Sequence, residues 1–217
     1  MGVSRPFALV AGSGGPLGQA LLAEFADAGY VVAGLRKADC DLADAAAAEQ
    51  HIAQLTAAHG PVDALIFNAG HLLIAPFLEL DAAAFDTCWR AGPAGAANCA
   101  RAVLPQMLQR GRGSMVFTGA TMSLRGSSGF SAMACGKFGL RGLAQSLARE
   151  FQPQGIHVAH VLLDGLLEGS PSTERFGARQ AAPLDPRAVA GSYRWLVEQA
   201  PTAWTHELDL RTPSEKF

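Results

Sequence analysis

The stretch Phe7-Ala-Leu-Val-Ala-Gly-Ser-Gly-Gly-Pro-Leu-Gly18 joins a run of apolar residues to a glycine-rich loop. The apolar run, Phe7–Ala11, predicts a buried strand, and the helical period of Leu17–Ala28 predicts a helix directly after the loop. A glycine loop between a strand and a helix lets backbone N–H groups and the helix N-terminus approach a phosphate closely. The segment therefore predicts an α/β fold with a dinucleotide site at its first turn.

This loop supplies the first candidate cofactor contacts, which are Gly12, Ser13, Gly14, Gly15, Leu17 and Gly18. Pro16 interrupts them. Because proline has no N–H, it weakens the predicted phosphate site, although it is tolerated in the first turn of a helix. A tight turn that binds no ligand is the alternative interpretation.

Apolar runs and helical patterns alternate along the rest of the chain. Further strands are predicted at Tyr30–Leu35, Val62–Phe67, Ser114–Thr118, Ile156–Leu162 and near Glu207–Leu210, and helices at Asp44–His59, Asp81–Arg110, Phe130–Gln152 and Arg187–Glu198. The pair Gly92-Pro93 is expected to kink the helical stretch Asp81–Arg110. Continuously apolar strands separated by helices are typical of a doubly wound parallel sheet of Rossmann type. No repeat or linker divides residues 1–217, so we expect a single domain.

Composition narrows the class of protein. Hydrophobic residues make up 49% and charged residues 17%, which excludes a disordered chain. The net charge of −2 argues against nucleic acid as a partner. No apolar run approaches the ~18 residues of a membrane span, and no residue cluster has metal-ligand spacing. The four cysteines lack a disulfide framework, and glycines follow the N-terminal apolar run where a signal peptide would have a cleavage site. We therefore expect a soluble cytoplasmic protein that acts on a small molecule, with no metal.

The end of the second strand carries a basic pair, Arg36-Lys37. An acidic residue near this point would bind the 2′-hydroxyl of NAD, whereas a basic one can meet the 2′-phosphate of NADP. The pair therefore predicts NADP as the cofactor. Ordinary solvated charges at a strand end are the alternative.

Several motifs resemble the short-chain dehydrogenase/reductase family over nearly the whole chain. Gly12 and Gly18 match the outer glycines of its TGxxxGxG loop, Asp41-Leu42 looks like its adenine-contacting pair, and Asn68-Ala69-Gly70 is its NAG motif. The segments TGATMSLRGSSGF (118–130) and KFGLRGLAQSLAREF (137–151) resemble a poorly characterised bacterial subgroup. The resemblance implies an oxidoreductase that binds its cofactor through these positions. It also implies a homodimer or homotetramer that pairs through the helices at 81–110 and 130–152.

Members of this family use a catalytic tetrad of Tyr, Lys, Ser and Asn. Anchored on Lys137, which would also contact the cofactor ribose, the tyrosine position holds Met133 and the serine position holds Ala120. The asparagine position holds Gly92, so only the lysine remains. The two tyrosines of the chain, Tyr30 and Tyr193, cannot lie one helical turn before Lys137.

Hydroxyl groups near the serine position are possible substitutes, namely Thr121, Ser123, Ser127, Ser128 and Ser131. The sequence identifies no base beside any of them, and an unassisted hydroxyl is a poor acid at neutral pH. Asp164-Gly165 occupies the place of the family's Pro-Gly turn and is interpreted as a turn. Two functions remain open: an NADP-linked oxidoreductase, or a non-redox protein on the same scaffold, either a lyase or isomerase or a catalytically silent binding partner.

A short connection explains why 217 residues are few for this family. Only three residues separate Lys37 from Asp41, whereas a parallel crossover with its helix needs roughly 10–12. We therefore expect six strands, with the family's third strand and the helix before it missing. The segment Asp39–Leu42 would then cross directly to the adenine side of the site.

Overall fold

The computed structural model describes residues 5–176 and 182–213. Six strands form one parallel sheet in the order β2-β1-β3-β4-β5-β6. They are β1 (Phe7–Ala11), β2 (Val31–Leu35), β3 (Ala64–Phe67), β4 (Gly113–Thr118), β5 (Ile156–Asp164) and β6 (Glu207–Arg211). The doubly wound parallel sheet expected from the sequence is confirmed.

Helices cover both faces of this sheet, because successive side chains of each buried strand point to opposite faces. The helices are α1 (Pro16–Asp27), α2 (Ala45–His59), α3 (Ala82–Trp89), α4 (Gly95–Arg110), α5 (Ser131–Phe151), α6 (Pro171–Phe176) and α7 (Pro186–Val197). Leu9, Phe67 and Phe117 pack on the side of α2, α4 and α5. Val10 and Ile66 face α1 and α7.

The expected omission of one strand and one helix is confirmed. Residues 36–44 form turns and contain no strand, and α2 begins directly after Asp44, whose carboxylate accepts hydrogen bonds from the backbone of the first turn. The crossing segment is fastened to the opposite layer, since Asn98 Nδ2 donates to the Leu42 carbonyl over 3.0 Å. The chain therefore passes from the edge strand β2 to α2 through residues 36–44 alone.

The break at Gly92-Pro93 takes the form of a π-helical turn, Arg90–Ala94, between α3 and α4. A proline inside a helix removes one backbone hydrogen bond, and a wider turn accommodates that loss. The turn lies against α5, where a Cβ on Gly92 would be 3.7 Å from the Gly136 carbonyl oxygen. The expected kink is therefore confirmed, and it occurs where α5 packs closely.

Candidate active site

The carboxyl ends of the central strands set the position of a cleft. Ala11, Phe67 and Phe117 lie in register across β1, β3 and β4, so the loops that follow them meet at one edge of the sheet. Two adjoining cavities open there, an outer one of about 560 Å³ beside β2 and an inner one of about 890 Å³ beside β4 and β5. They share four lining residues: Gly15, Asn68, Gly70 and His71. Open α/β sheets bind ligands at this kind of position.

Packing against neighbouring backbone fixes two glycines of the first loop. Gly12 has φ +91°, and a Cβ there would lie 2.4 Å from the backbone nitrogen of Ala69. A Cβ on Gly18 would lie 2.5 Å from Ser13 Cα. Asn68 Nδ2 donates to the Gly12 carbonyl over 3.0 Å, which holds the loop against the NAG motif. Ser13, only 2% exposed, and Gly18 line neither cavity, so these two predicted contacts lie behind the loop.

Other residues of the loop face the cleft and leave room beside it. Nothing lies within 4 Å of a Cβ built on Gly15, and on Gly14 the nearest atom is Arg36 Cγ at 3.7 Å. Both glycines line the outer cavity, and Leu17 lines the inner one. Pro16 is the first residue of α1, where its missing N–H would have had no partner within the helix. The proline therefore costs α1 no hydrogen bond, although it removes one N–H donor from the loop.

The basic pair lines the outer cavity, but its two side chains differ. The Arg36 guanidinium forms two hydrogen bonds with the Asp39 carboxylate, from Nε over 3.0 Å and from Nη2 over 2.9 Å. That contact lowers the pKa of Asp39 to about 2. Lys37 is exposed and has no salt bridge within the described part of the chain. Lys37 is therefore the more available cation for an anionic ligand.

A third cation at the outer cavity was not predicted from the sequence. Arg90, at the start of the π-helical turn, donates from Nη2 to Asp41 Oδ2 over 3.1 Å. Asp41 also accepts a hydrogen bond from the Ala43 N–H, and this bond is the main reason why its pKa lies below the usual value. Asp41, Leu42 and Arg90 all line the cavity. Only the missing strand makes this contact possible, because it brings the crossing segment against α3.

Lys137 lies at the centre of the inner cavity, on α5. Its Nζ donates to the Thr118 carbonyl over 2.8 Å, and a Cβ on Gly70 would lie 3.5 Å from the same nitrogen. Burial lowers the pKa of Lys137 to about 8 because it withdraws water from the ammonium group. The candidate ribose-binding lysine therefore lies beside the NAG motif, of which Asn68 and Gly70 line both cavities and Ala69 lines the outer one.

The substituted tetrad positions do not all reach the cleft. Met133 and Ala120 line the inner cavity with Lys137, whereas Gly92 lines neither cavity. A thioether carries no proton, and a methyl group forms no hydrogen bond with a carbonyl oxygen. The side chains at the tyrosine and serine positions therefore provide an apolar wall where a family member has an acid and an orienting hydroxyl.

Neither tyrosine takes the place of the missing acid. The Tyr193 hydroxyl is fully buried and donates to Thr118 Oγ1 over 2.9 Å, and burial raises its pKa. Tyr30 precedes β2 and packs edge-on against Phe25, with ring centroids 5.0 Å apart. Neither tyrosine lines the outer or the inner cavity. The argument from sequence position holds in the structure.

Among the substitute hydroxyls, only Thr121 lines the cleft. Its Oγ1 donates to Asp164 Oδ1 over 2.5 Å. The Ser123 hydroxyl accepts from the Ala120 N–H instead, and the remaining three serines lie away from both cavities. The interpretation of Asp164 as part of a turn is wrong, because it is the last residue of β5 and 4% exposed. The sequence signal was an acidic residue in place of the family's proline.

The described residues contain neither a group of metal-ligating side chains nor a membrane-spanning helix. Across 5–176 and 182–213, no three His, Cys, Asp or Glu side chains are grouped to hold a metal ion. Within the same ranges, no helix has the length and apolar character needed to cross a bilayer.

Comparison with known proteins agrees with this geometry. A family model described as short chain dehydrogenase matches residues 19–167. The chain belongs to the short-chain dehydrogenase family. It is 31% identical over 175 residues to a short-chain dehydrogenase/reductase of Armillaria gallica, an alignment that covers 70% of this chain and 67% of that protein. Among eight curated relatives, the chain spans between 30% and 72% of the relative's length.

Solved structures of the family superpose over most of the chain. A short-chain dehydrogenase from Rhodopseudomonas palustris is 31% identical, with a TM-score of 0.80 over 95% of this chain and 98% of that one. ElxO, whose structure has NADP bound, gives a TM-score of 0.86 at 17% identity, over 95% of this chain and 97% of its own. The second match shows the fold alone. The family assignment makes the chain a member of an oxidoreductase family.

Proposed function

We propose that the protein is a cytoplasmic, NADP-linked oxidoreductase that interconverts a carbonyl compound and an alcohol. The observation that carries the proposal is the continuous cleft along the strand ends. It has a glycine loop and basic side chains at the outer end and Lys137 in the inner cavity, beside Gly70, which lines both cavities. Such a cleft has the shape and the polarity of a dinucleotide site.

The residues around the cleft fit that cofactor. The open space over Gly14 and Gly15, at the N-terminus of α1, fits a pyrophosphate. Lys37 would meet a 2′-phosphate, Asp41 and Leu42 the adenosine, and Lys137 the nicotinamide ribose. When bound, the cofactor supplies a hydride acceptor or donor. The chain itself binds and orients the two reactants and excludes water between them.

The inner cavity also suggests the class of substrate. Among the described residues that line it, Lys137 is the only Lys, Arg, Asp or Glu. Most of the carbon surface comes from large apolar side chains, namely Leu72, Met122, Phe130, Met133, Leu163, Leu166, Leu167 and Phe176. Burying an unpaired charge in such surroundings is costly. We propose an uncharged substrate with an apolar body for this cavity.

Cofactor binding is the first test. In a fluorescence titration, NADPH is expected to bind at least about tenfold more tightly than NADH, since the 2′-phosphate gains a charged partner. Lys37→Ala should weaken NADPH binding about tenfold and leave NADH binding within about twofold.

Arg187→Ala, which removes an exposed cation at the start of α7 outside both cavities, is the matched control and should change neither affinity. Failure of the wild-type protein to bind NADPH at millimolar concentration rules out the oxidoreductase proposal. Equal affinities for NADPH and NADH that Lys37→Ala leaves unchanged would rule out the preference for NADP.

A non-redox function is the second candidate, and the apolar wall of Met133 and Ala120 favours it. A positioned general acid is worth about 10²–10⁴-fold in rate, and this wall supplies none. A lyase, an isomerase or a silent binding partner would use the same cavity without a hydride acceptor. Absence of NADPH binding in the titration above favours this candidate.

We also propose that a second copy of the chain covers the exposed side of α5. Leu143, Leu147 and Phe151 pack against the core. Phe138 is 44% exposed, and on the adjacent α3 Trp89 is 52% exposed. Two large apolar side chains on neighbouring helices are typical of an interface.

Phe138→Glu is expected to shift the molar mass measured by light scattering from a dimer or tetramer to a smaller species, because a charge would be buried at the centre of the interface. Arg187→Glu, at an exposed polar side chain at the start of α7, should leave the mass unchanged. A wild-type monomer at about 50 μM would contradict the proposal, since stable interfaces of this type persist well below that concentration.

A further inference from the structure

A hydroxyl and a buried carboxylate face each other at the edge of the inner cavity. Thr121 lines the cavity, and its hydroxyl donates to Asp164 Oδ1 over 2.5 Å. The other carboxylate oxygen, Oδ2, lies 3.3 Å from Arg211 Nη1 on β6. Asp164 itself lines neither cavity, so Thr121 stands between the carboxylate and the cleft.

The Thr121–Asp164 pair lies beside the substituted tetrad positions, where a proton donor and acceptor is needed. Thr121 follows Ala120 directly and shares the inner cavity with Met133 and Lys137. Burying a carboxylate is costly unless it is paired, and Arg211 offsets that cost. A hydroxyl that has a base beside it is the arrangement that activates a weak nucleophile or proton acceptor. Across residues 5–176 and 182–213, no other hydroxyl that lines the inner cavity forms a hydrogen bond with a carboxylate.

We propose that Thr121 contacts the reacting oxygen of the substrate and exchanges its proton with Asp164. The proposal rests on the oxidoreductase function above. In oxidation, the alcohol O–H bond breaks as Thr121 Oγ1 takes the proton, and the hydroxyl proton of Thr121 passes to Asp164 Oδ1. The carbinol carbon gives its hydride, with both electrons, to the oxidised nicotinamide, so a ketone forms and one proton remains on Asp164. Reduction follows the same route in reverse. Thr121 is then a catalytic residue, and Asp164, which acts through it, is a positioning residue.

A structural role alone would have different consequences. If the hydrogen bond only fastened residues 119–123 to β5, its loss would loosen the cavity wall and alter stability and cofactor affinity. If the pair transfers a proton, its loss lowers kcat and weakens the binding of the substrate alcohol, and NADPH affinity is unchanged. These two roles can be separated with conservative variants.

The experiment compares wild type with Thr121→Val, Thr121→Ser and Asp164→Asn, using NADP⁺ with a panel of secondary alcohols that includes cyclohexanol. Thr121→Val and Asp164→Asn should each lower kcat about 100-fold or more, with the KM for NADP⁺ and the NADPH dissociation constant within about threefold. Thr121→Ser should keep at least about a tenth of the wild-type kcat, because it retains the hydroxyl. Asp63→Asn is the control. It removes a carboxylate that pairs with Arg110 at the amino-terminal ends of the strands, away from the cleft, and it should leave kcat unchanged.

A measurement without turnover complements the rates. NADPH and cyclohexanol are both reduced and cannot react, so NADPH fluorescence reports alcohol binding alone. Thr121→Val should weaken cyclohexanol binding about tenfold, and Thr121→Ser should restore it. Unchanged kcat and unchanged cyclohexanol affinity in Thr121→Val overturn the role of the pair. A wild-type protein that binds NADPH yet neither binds nor oxidises any alcohol of the panel also overturns it. Absence of NADPH binding instead shows that the proposed function itself fails.

Discussion

Replacing Gly12 with valine is expected to destabilise the protein by about 3 kcal/mol or more, which lowers the melting temperature by roughly 6–12 °C. The residue has φ +91°, a conformation that side chains with a Cβ rarely adopt. A Cβ would also lie 2.4 Å from the Ala69 nitrogen and 2.7 Å from its Cα. Since both obstacles are backbone, neither can move aside without shifting β3 or the loop.

Urea denaturation measures this loss, and Gly191→Ala is the matched control. Gly191 lies within α7, and nothing lies within 4 Å of a Cβ built there. The control should be neutral or stabilise the protein by up to about 1 kcal/mol, because alanine favours the helix. A loss below about 1 kcal/mol for Gly12→Val would contradict the contact between the first loop and the NAG motif.

The double replacement Ala120→Ser with Met133→Tyr is expected to raise the NADPH-linked reduction of a generic diketone by about 10²–10⁴-fold. Both positions line the inner cavity, and Met133 lies one helical turn before Lys137 on α5. A tyrosine there gains a proton to donate and a neighbouring ammonium that favours its ionised form. The serine adds a hydroxyl that orients the carbonyl.

The control places the same side chain elsewhere in the same cavity. Met122→Tyr, combined with Ala120→Ser, adds a phenol to the cavity lining in a short 3₁₀ helix rather than on α5. Because it does not lie one turn before Lys137, it should give less than a tenth of the gain. A double variant that still binds NADPH but reduces no faster than wild type would indicate that the cavity serves a different reaction, and it would favour the non-redox candidate.

The sequence predicted a doubly wound sheet with a shortened connection after its second strand, because both features follow from local constraints. Continuously apolar strands require helices on both faces, and three residues between Lys37 and Asp41 are too few for a parallel crossover. The identities at 92, 120, 133 and 137 likewise need only the spacing along the chain. These predictions did not depend on knowing how distant segments pack.

The sequence did not show the surroundings that distant parts of the chain give to several of these residues. Ser13 places its hydroxyl against Gly34 of β2, and Gly18 packs against the Ser13 backbone. Arg36 has the right place for a 2′-phosphate, but Asp39 holds its guanidinium. Arg90 reaches Asp41 only because the crossing segment meets α3. Such contacts between distant segments cannot be predicted from the spacing of residues along the chain.

The sequence by itself indicated the family by resemblance, predicted the six-stranded sheet, and has Met133, Ala120 and Gly92 where the resemblance implies tyrosine, serine and asparagine. Only the tertiary structure joined Thr121 to Asp164, two residues that are 43 positions apart. The reason is physical: register across β4 and β5 brings the loop after one strand beside the end of the other. The hydrogen bond between the segment after β4 and the end of β5 is fixed by the sheet, and no local pattern in either segment predicts it.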